Sequence, residues 1–302
     1  MKPAVSVRKE RLLPLLLLAP ALLMMVGVIA FPLFQAIRLS FFDMSLLMPQ
    51  LARFNWLDNY RTILSDEAFY RSFVNSVVWI VSCVALQFAV GMAGALLLNR
   101  DFWGRAFVRG LSLIPWATSS VLVALMWSWM LDGNYGIIND LLQKLGLIQR
   151  YQPWLAQPGT ALGGVIAANV WQGAPFFAVM LLAAMQSIPE ALYEAARIDG
   201  AGWRQQFWNI TIPHLMPTII ITTILRIIWT ANYVDLILIM THGGPGYSSI
   251  TMPLLSYLTF YSHLKVGQGA AIAVFQALFL IVSLTLYNHV LQQYEKGEKR
   301  AK

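Results

Sequence analysis

The chain has 302 residues, 58% of them hydrophobic and 12% charged, with a mean hydropathy of +0.61 and a net charge of +7. Soluble domains carry about 25% charged residues, so so apolar a chain cannot cover itself with polar surface, and lipid is its expected solvent. The basic balance does not indicate nucleic acid, because Lys and Arg flank apolar runs, where they set membrane orientation. The single cysteine, Cys83, excludes an internal disulfide and reads as a core or lipid-facing residue.

A bilayer core about 30 Å thick is crossed by roughly 20 apolar residues, and charges delimit six such runs. Run 12–37 lies between Arg11 and Arg38, 72–99 between Arg71 and Arg100, and 110–131 between Arg109 and Asp132. Residues 151–189 are uncharged, with a helix predicted from about Ala161, after Gln157-Pro158-Gly159. Run 215–240 is apolar but holds Arg226 and Asp235; 266–294 is uncharged, with a helix from about Gly269. The expected fold is all-α and integral to the membrane, with six transmembrane helices. It forms a single domain over 1–302, with its core at 72–294. Lys2, Arg8, Lys9 and Arg11 precede the first run as in a signal peptide. Signal h-regions span only about 7–15 residues, and no clear cleavage site follows, so a retained helix is expected. Thirteen Lys and Arg fall on the side holding both termini and seven on the other. The richer side is cytoplasmic, which sends loops 38–71, 132–160 and 241–268 outward. The tail 295–302 reads as a charged, frayed end.

Residues 187–213, between the fourth and fifth runs, carry the most information. Ser187 and Glu190 fit a capping box, with Pro189 at a helix start. A short helix is predicted to about Asp199, where Gly200 takes the left-handed turn that ends it. A second short helix follows at about 203–209, and Pro213 and Pro217 mark entry to the fifth span. Ala191, Ala195 and Ala196 permit close approach to a partner surface, across which Glu194 and Arg197 could pair. An amphipathic helix lying on the membrane would explain the periodicity but not the whole string.

That string resembles the signature loop of ABC-importer permeases: Glu194-Ala195-Ala196, three residues, Gly200, nine residues, Ile210, and Pro213. Ile212 stands where Leu is usual. Asp199-Gly200-Ala201 is similar to the carbohydrate-importer version. Trp171-Gln172-Gly173-Ala174-Pro175-Phe176 and Thr241-His242-Gly243-Gly244-Pro245 resemble the maltose-type carbohydrate permeases. The resemblance covers nearly all the chain and is weak for substrate. It implies a type I ABC-importer permease of the bacterial inner membrane, moving a carbohydrate, polyol or glycoside from periplasm to cytoplasm. It implies that 187–213 is a coupling loop docking in an ATPase, with Glu190, Glu194, Ala195, Ala196, Asp199, Gly200 and Ala201 at the contact. The implied partners are two ATP-binding subunits, which hold ATP and Mg, a second homologous permease and a periplasmic solute-binding protein. No cofactor is expected on this chain.

Intramembrane polar groups are costly and tend to line a pathway. In the fifth run Arg226, Trp229, Thr230 and Tyr233 share one helical face, and Asn232 and Asp235 another. Arg226 lies near mid-membrane. It could stack on and hydrogen-bond a sugar or hold an anionic group, or it could pair structurally with a second permease or with carbonyls. Asp235, nearer the outer boundary, could snorkel or cap the outer loop. In the fourth run Asn169 and Gln172 lie below the outer surface, and Gly173 and Pro175 could kink the helix. The resemblance sets Asn169, Gln172, Gly173 and Asn232 at or beside a sugar site; interhelical hydrogen bonding is the alternative. Pro115 and Trp116 read as a kink and a packing residue.

No Gly-x-x-x-x-Gly-Lys-Ser/Thr loop occurs, so no nucleotide site is expected here. His214, His242, His263 and His289 lack metal-ligand spacing, and an enzyme is not expected. The alternative function is an ion-coupled secondary transporter, which would predict intramembrane carboxylates or broken helices at matching repeat positions. Asp235 alone offers itself, and residues 187–213 would go unexplained. A non-transporting scaffold would not need a polar lining in the fifth run.

Overall fold

In lipid every backbone polar group must be satisfied within the protein, so apolar runs of this length fold as helices. The computed structural model describes residues 17–301. The basic residues Lys2, Arg8, Lys9 and Arg11, the start of run 12–37 and Lys302 lie outside the described residues. Among the described residues, five helices are long and apolar enough to cross a membrane, and a bent pair makes a sixth if it crosses as one span. Packing divides the chain into two units: Met1–Asp66 with Ser256–Leu278, and Glu67–Leu255 with Phe279–Lys302.

In the first unit α1 (Leu17–Leu39) leads into β1 (Phe42–Asp43), which pairs antiparallel with β2 (Arg53–Phe54). Phe42 faces Phe54, and Asp43 faces Arg53. The short α2 (Asp58–Leu64) follows. Its buried Asn59 donates to the carbonyls of Ser40 and Phe42, each at 2.9 Å, and so holds the hairpin against the helix end. Gly267 sits where any Cβ would fall on the Phe42 carbonyl, so only glycine lets the backbone lie that close.

In the second unit α3 (Glu67–Asn99) starts five residues before the expected boundary. Arg71 does not end the helix, because it pairs with Glu67 one turn earlier at 2.6 Å. The expected single span at 110–131 is instead α4 (Arg105–Ala117) and α5 (Ser120–Met130), which meet at 95°. Ser119 causes the break: its backbone is extended and its hydroxyl accepts from Leu122 N at 3.4 Å, starting a new helix. Pro115 lies in the helix before the break rather than at it. The outer loop holds α6 (Ile137–Lys144), whose buried Asn139 binds the carbonyls of Asp132 and Gln152.

Helix α7 (Ala161–Gln186) begins where predicted and runs unbroken through Pro175. The exposed α8 (Glu190–Ile198) follows. Then α9 (Trp203–Ala231) is one helix, where a separate short helix and an entry at Pro213 were expected. Phe207–Thr211 forms a π-helical turn. That wider turn includes Asn209, whose carbonyl Pro213 would otherwise crowd. Run 215–240 does not stay helical throughout: the helix stops at Ala231 and resumes as α10 (Asp235–Thr241). Beyond it lie α11 (Met252–Tyr261) and α12 (Val266–Ala301). The last helix starts three residues before Gly269 and continues where fraying was expected, through a stretch of good helix formers.

The most extensively packed pair is α3 against α7. Gly91 makes it possible, because a Cβ there would meet the Ala174 carbonyl at 2.8 Å and overlap Phe177. Small residues let membrane helices approach this closely and gain dispersion contact. Gly91→Leu is therefore expected to force the pair apart and destabilise the protein by about 1–3 kcal/mol. Thermal unfolding of the detergent-solubilised variant, read against wild type, checks this.

Candidate functional site

One buried amide ties three helices together. Gln87 of α3 is fully buried. Its Nε2 donates to Asn169 Oδ1 at 2.7 Å and to the Asn169 carbonyl of α7 at 2.9 Å. Its Oε1 accepts from Arg226 Nε of α9 at 2.8 Å. Arg226 is 8% exposed, and its guanidinium lies against Gly173, where a Cβ would fall on both the guanidinium and the Gln87 amide. Glycine at 173 is thus the seat of Arg226. The cation also lies 6.0 Å from the Phe176 ring and 5.9 Å from the Trp229 ring, within cation–π range. These two rings contact each other at 5.2 Å, and Trp116 extends the cluster to 5.9 Å from Phe176. Trp116 and Trp229 are nearly half exposed, so the cluster presents aromatic surface as well as a core.

A second junction joins the two helix breaks. The turn before Ser119 leaves the Thr118 carbonyl without a helical donor, and Gln172 Nε2 supplies one at 3.0 Å. The same amide accepts from Tyr233 Oη at 2.6 Å, at the break after Ala231. Ser120 donates to Asp235 Oδ2 at 3.1 Å, so the first residues of α5 and α10 are also joined. At the α9 end the Thr230 carbonyl accepts from Trp79 Nε1 at 2.9 Å. Irregular backbone at membrane depth persists only when its freed groups are satisfied in this way.

The segment after α7 is built as an elbow. Pro189 precedes α8, but Ser187 donates to the Ala184 carbonyl and α8 has no side-chain cap, so the expected capping box is absent. Ser187 instead closes the end of α7. Gly200 has φ +79° and ends α8 as predicted, with the Asp199, Gly200 and Ala201 amides donating to the Ala195, Arg197 and Ala196 carbonyls. Gln206 Nε2 binds the Ala201 carbonyl at 2.8 Å, and Tyr193 Oη meets Thr211 Oγ1 at 2.9 Å. These bonds fix α8 to the base of α9. Glu190, Glu194, Ala195, Asp199 and Gly200 are exposed; Ala196 and Ala201 are half-buried.

Of the pathway residues read from the sequence, the structure gathers Asn169, Gly173, Arg226 and Trp229 at the first junction. It gathers Gln172, Tyr233 and Asp235 at the second. Thr230 is buried at the helix end. Asn232 is exposed, and its amide donates to the Ile228 carbonyl at 2.8 Å. The helical-face argument fails beyond Ala231, because Tyr233 lies in the break rather than on the α9 helix and Asp235 starts α10. Sequence reasoning missed Gln87 and Ser120 and read Trp116 only as packing. Gln87 was detectable as a large polar residue in an otherwise apolar run.

A helical membrane protein whose broken helices meet at polar junctions, with an exposed elbow between two spans, is built as a transport pathway. The family model for the binding-protein-dependent transport system inner membrane component matches residues 85–296, and the chain belongs to that family. It is a multi-pass inner-membrane permease subunit of an ABC transporter, a pathway component rather than an enzyme. It is 33% identical over 283 residues to the sulfoquinovosyl glycerol transport system permease protein SmoG of Agrobacterium fabrum, covering 94% of this chain and 91% of that protein. It is 34% identical over 278 residues to the trehalose/maltose transport system permease protein MalF of Thermococcus litoralis, covering 92% of each. The fold matches a crystal structure of a bacterial ABC transporter involved in the import of the acidic polysaccharide alginate. The TM-score is 0.79 at 24% identity, covering 95% of this chain and 97% of that one.

Replacing Gln87 with Leu removes the hydrogen-bond partner of a buried guanidinium, at a cost of about 1–3 kcal/mol or more. The double variant Gln87→Leu with Arg226→Leu is expected to recover part of the lost thermal stability, because neither polar partner is then left buried alone. Melting temperatures of the two single variants and the double variant test this coupling.

Proposed function

We propose that this chain forms half of the pathway of an ATP-driven importer for a carbohydrate or a related polyol or glycoside. Solute passes from periplasm to cytoplasm. Residues 1–302 act as a single permease domain with core 72–294, and the first helix is retained. Both termini are cytoplasmic, as the distribution of Lys and Arg supports. Two ATP-binding subunits hold ATP and Mg, a second homologous permease completes the pathway, and a periplasmic solute-binding protein delivers the substrate. This chain carries no nucleotide site.

The observation that carries this reading is the elbow at Gly200. A rigid exposed helix is bonded at one end to the base of α9 and follows α7 after three residues. A subunit gripping Glu190, Glu194, Ala195, Ala196, Asp199 and Ala201 would move both helices. Arg226 lies 23 residues beyond Trp203, roughly 35 Å along the same helix. The carbohydrate class is supported by the neutral amides Asn169 and Gln172, the hydroxyl of Tyr233 and the aromatic surfaces of Trp116 and Trp229. The relatives named for sulfoquinovosyl glycerol and for trehalose/maltose agree with it.

Gly200 has open space around the position of a Cβ, so a substitution there acts through backbone strain alone. Gly200→Val imposes about 1–2 kcal/mol of left-handed strain. It should abolish capture of the ATPase subunits and ATP-dependent uptake, with little change in helix content or melting temperature. Co-purification and vesicle uptake with the full set of subunits measure this. Uptake driven by an ion gradient through the purified chain alone, or unchanged ATPase capture by the variant, contradicts the proposal.

A further inference from the structure

At the junction of α3 and α4, Gly94, Leu97, Leu98, Phe102 and Val108 line a groove of about 540 Å³ that Arg100, Ser112 and Asp101, whose carboxylate is taken by Arg105, also border. Its walls are almost wholly apolar. Three arginines, Arg100, Arg105 and Arg109, fall within ten residues of one another. Arg105 is neutralised by Asp101. Arg109 donates from Nη2 to the carbonyl of Leu98, in the groove wall, at 3.0 Å, while its buried Nε has no partner. Around the groove Trp103 is 99% exposed and Phe107 71% exposed. Helix α4 thus pairs basic side chains with exposed aromatic and aliphatic ones, the composition of a segment lying in a lipid interface.

We propose that this groove is a binding site for an anionic phospholipid. One acyl chain lies along Gly94, Leu97, Leu98 and Val108, and the phosphate faces Arg100, with Arg109 adding positive charge from behind the wall at Leu98. Charge selects this occupant: an apolar groove alone would accept any chain, whereas two arginines unpaired by carboxylates favour an anionic headgroup. Basic pockets between helices on the cytoplasmic face suit such headgroups, and the site rests on the cytoplasmic placement of residues 100–109.

The test uses the full-length protein reconstituted with phosphatidylglycerol or phosphatidylcholine, with retained lipid measured by native mass spectrometry. Wild type should retain phosphatidylglycerol preferentially, and Arg100→Gln should cut that preference by about fivefold, as expected for one basic residue near an anionic lipid. Leu97→Trp fills the groove from an exposed position of its wall and should expel bound lipid at an unchanged melting temperature. Equal retention of the two lipids, or an unaltered preference in Arg100→Gln, overturns the proposal. A partner subunit crosslinked to Val108→Cys across the groove in the assembled transporter overturns it as well.

Discussion

The architecture depends on one side chain, the amide of Gln87. Its two N–H groups and its oxygen reach α7 and α9 at once, so three helices share a single polar contact in an apolar interior. In such surroundings an unpaired polar group is expensive, and a satisfied network is correspondingly directional. Dispersion between α3 and α7 supplies most of the adhesion, as the close approach at Gly91 indicates. Dispersion does not fix register, however; a helix can slide by a turn and find similar apolar contact. The Gln87 amide can meet Asn169 and Arg226 in only one register, so it sets which faces of α7 and α9 turn inward.

That register has consequences toward the helix breaks. With Gly173 seated on Arg226, Gln172 projects one position away and meets the Thr118 carbonyl on one side and the Tyr233 hydroxyl on the other. The two breaks are therefore coupled through adjacent residues of α7. Trp79 and Ser120 complete the set by occupying the Thr230 carbonyl and the Asp235 carboxylate. The broken backbone is held by side chains from α7 and α3, and a displacement of α7 is felt at both breaks.

The helical nature of the chain, most span limits and the elbow were legible in the sequence because they rest on local chemistry. Charges bound apolar runs, and a glycine closely followed by a second, differently patterned helix marks a turn. What was not legible depended on distant partners. Ser119 is an ordinary serine until its neighbours pack, so one span became two helices at 95°. Pro213 and Pro217 looked like boundaries, but the π-helical turn over Phe207–Thr211 absorbs the first and α9 continues. The capping box at Ser187 matched by spacing, yet the end of α7 competed for the same hydroxyl. Gln87 stands out in its apolar run as a polar residue, but the run does not say what it binds; its role exists only where Asn169 and Arg226 face it.

A load applied to α8 has two paths into the membrane. One runs through the short connection to Gln186 and along α7; the other runs through Tyr193 and Thr211 into the base of α9. Both helices are long and continuous, so each carries displacement over tens of ångströms. They meet again at the Gln87 junction, where α3 opposes them. A uniform push on both helices would leave the junction intact and shift it as a body. An unequal push must shear the contacts of Gln87 with Asn169 and Arg226 and strain the link from Gln172 to Tyr233. The compliant element is the π-helical turn at the base of α9, which has no counterpart in α7, so the two paths cannot respond equally. Under the proposed coupling, asymmetry in the elbow's attachments would turn a single force on α8 into relative motion at the polar junctions.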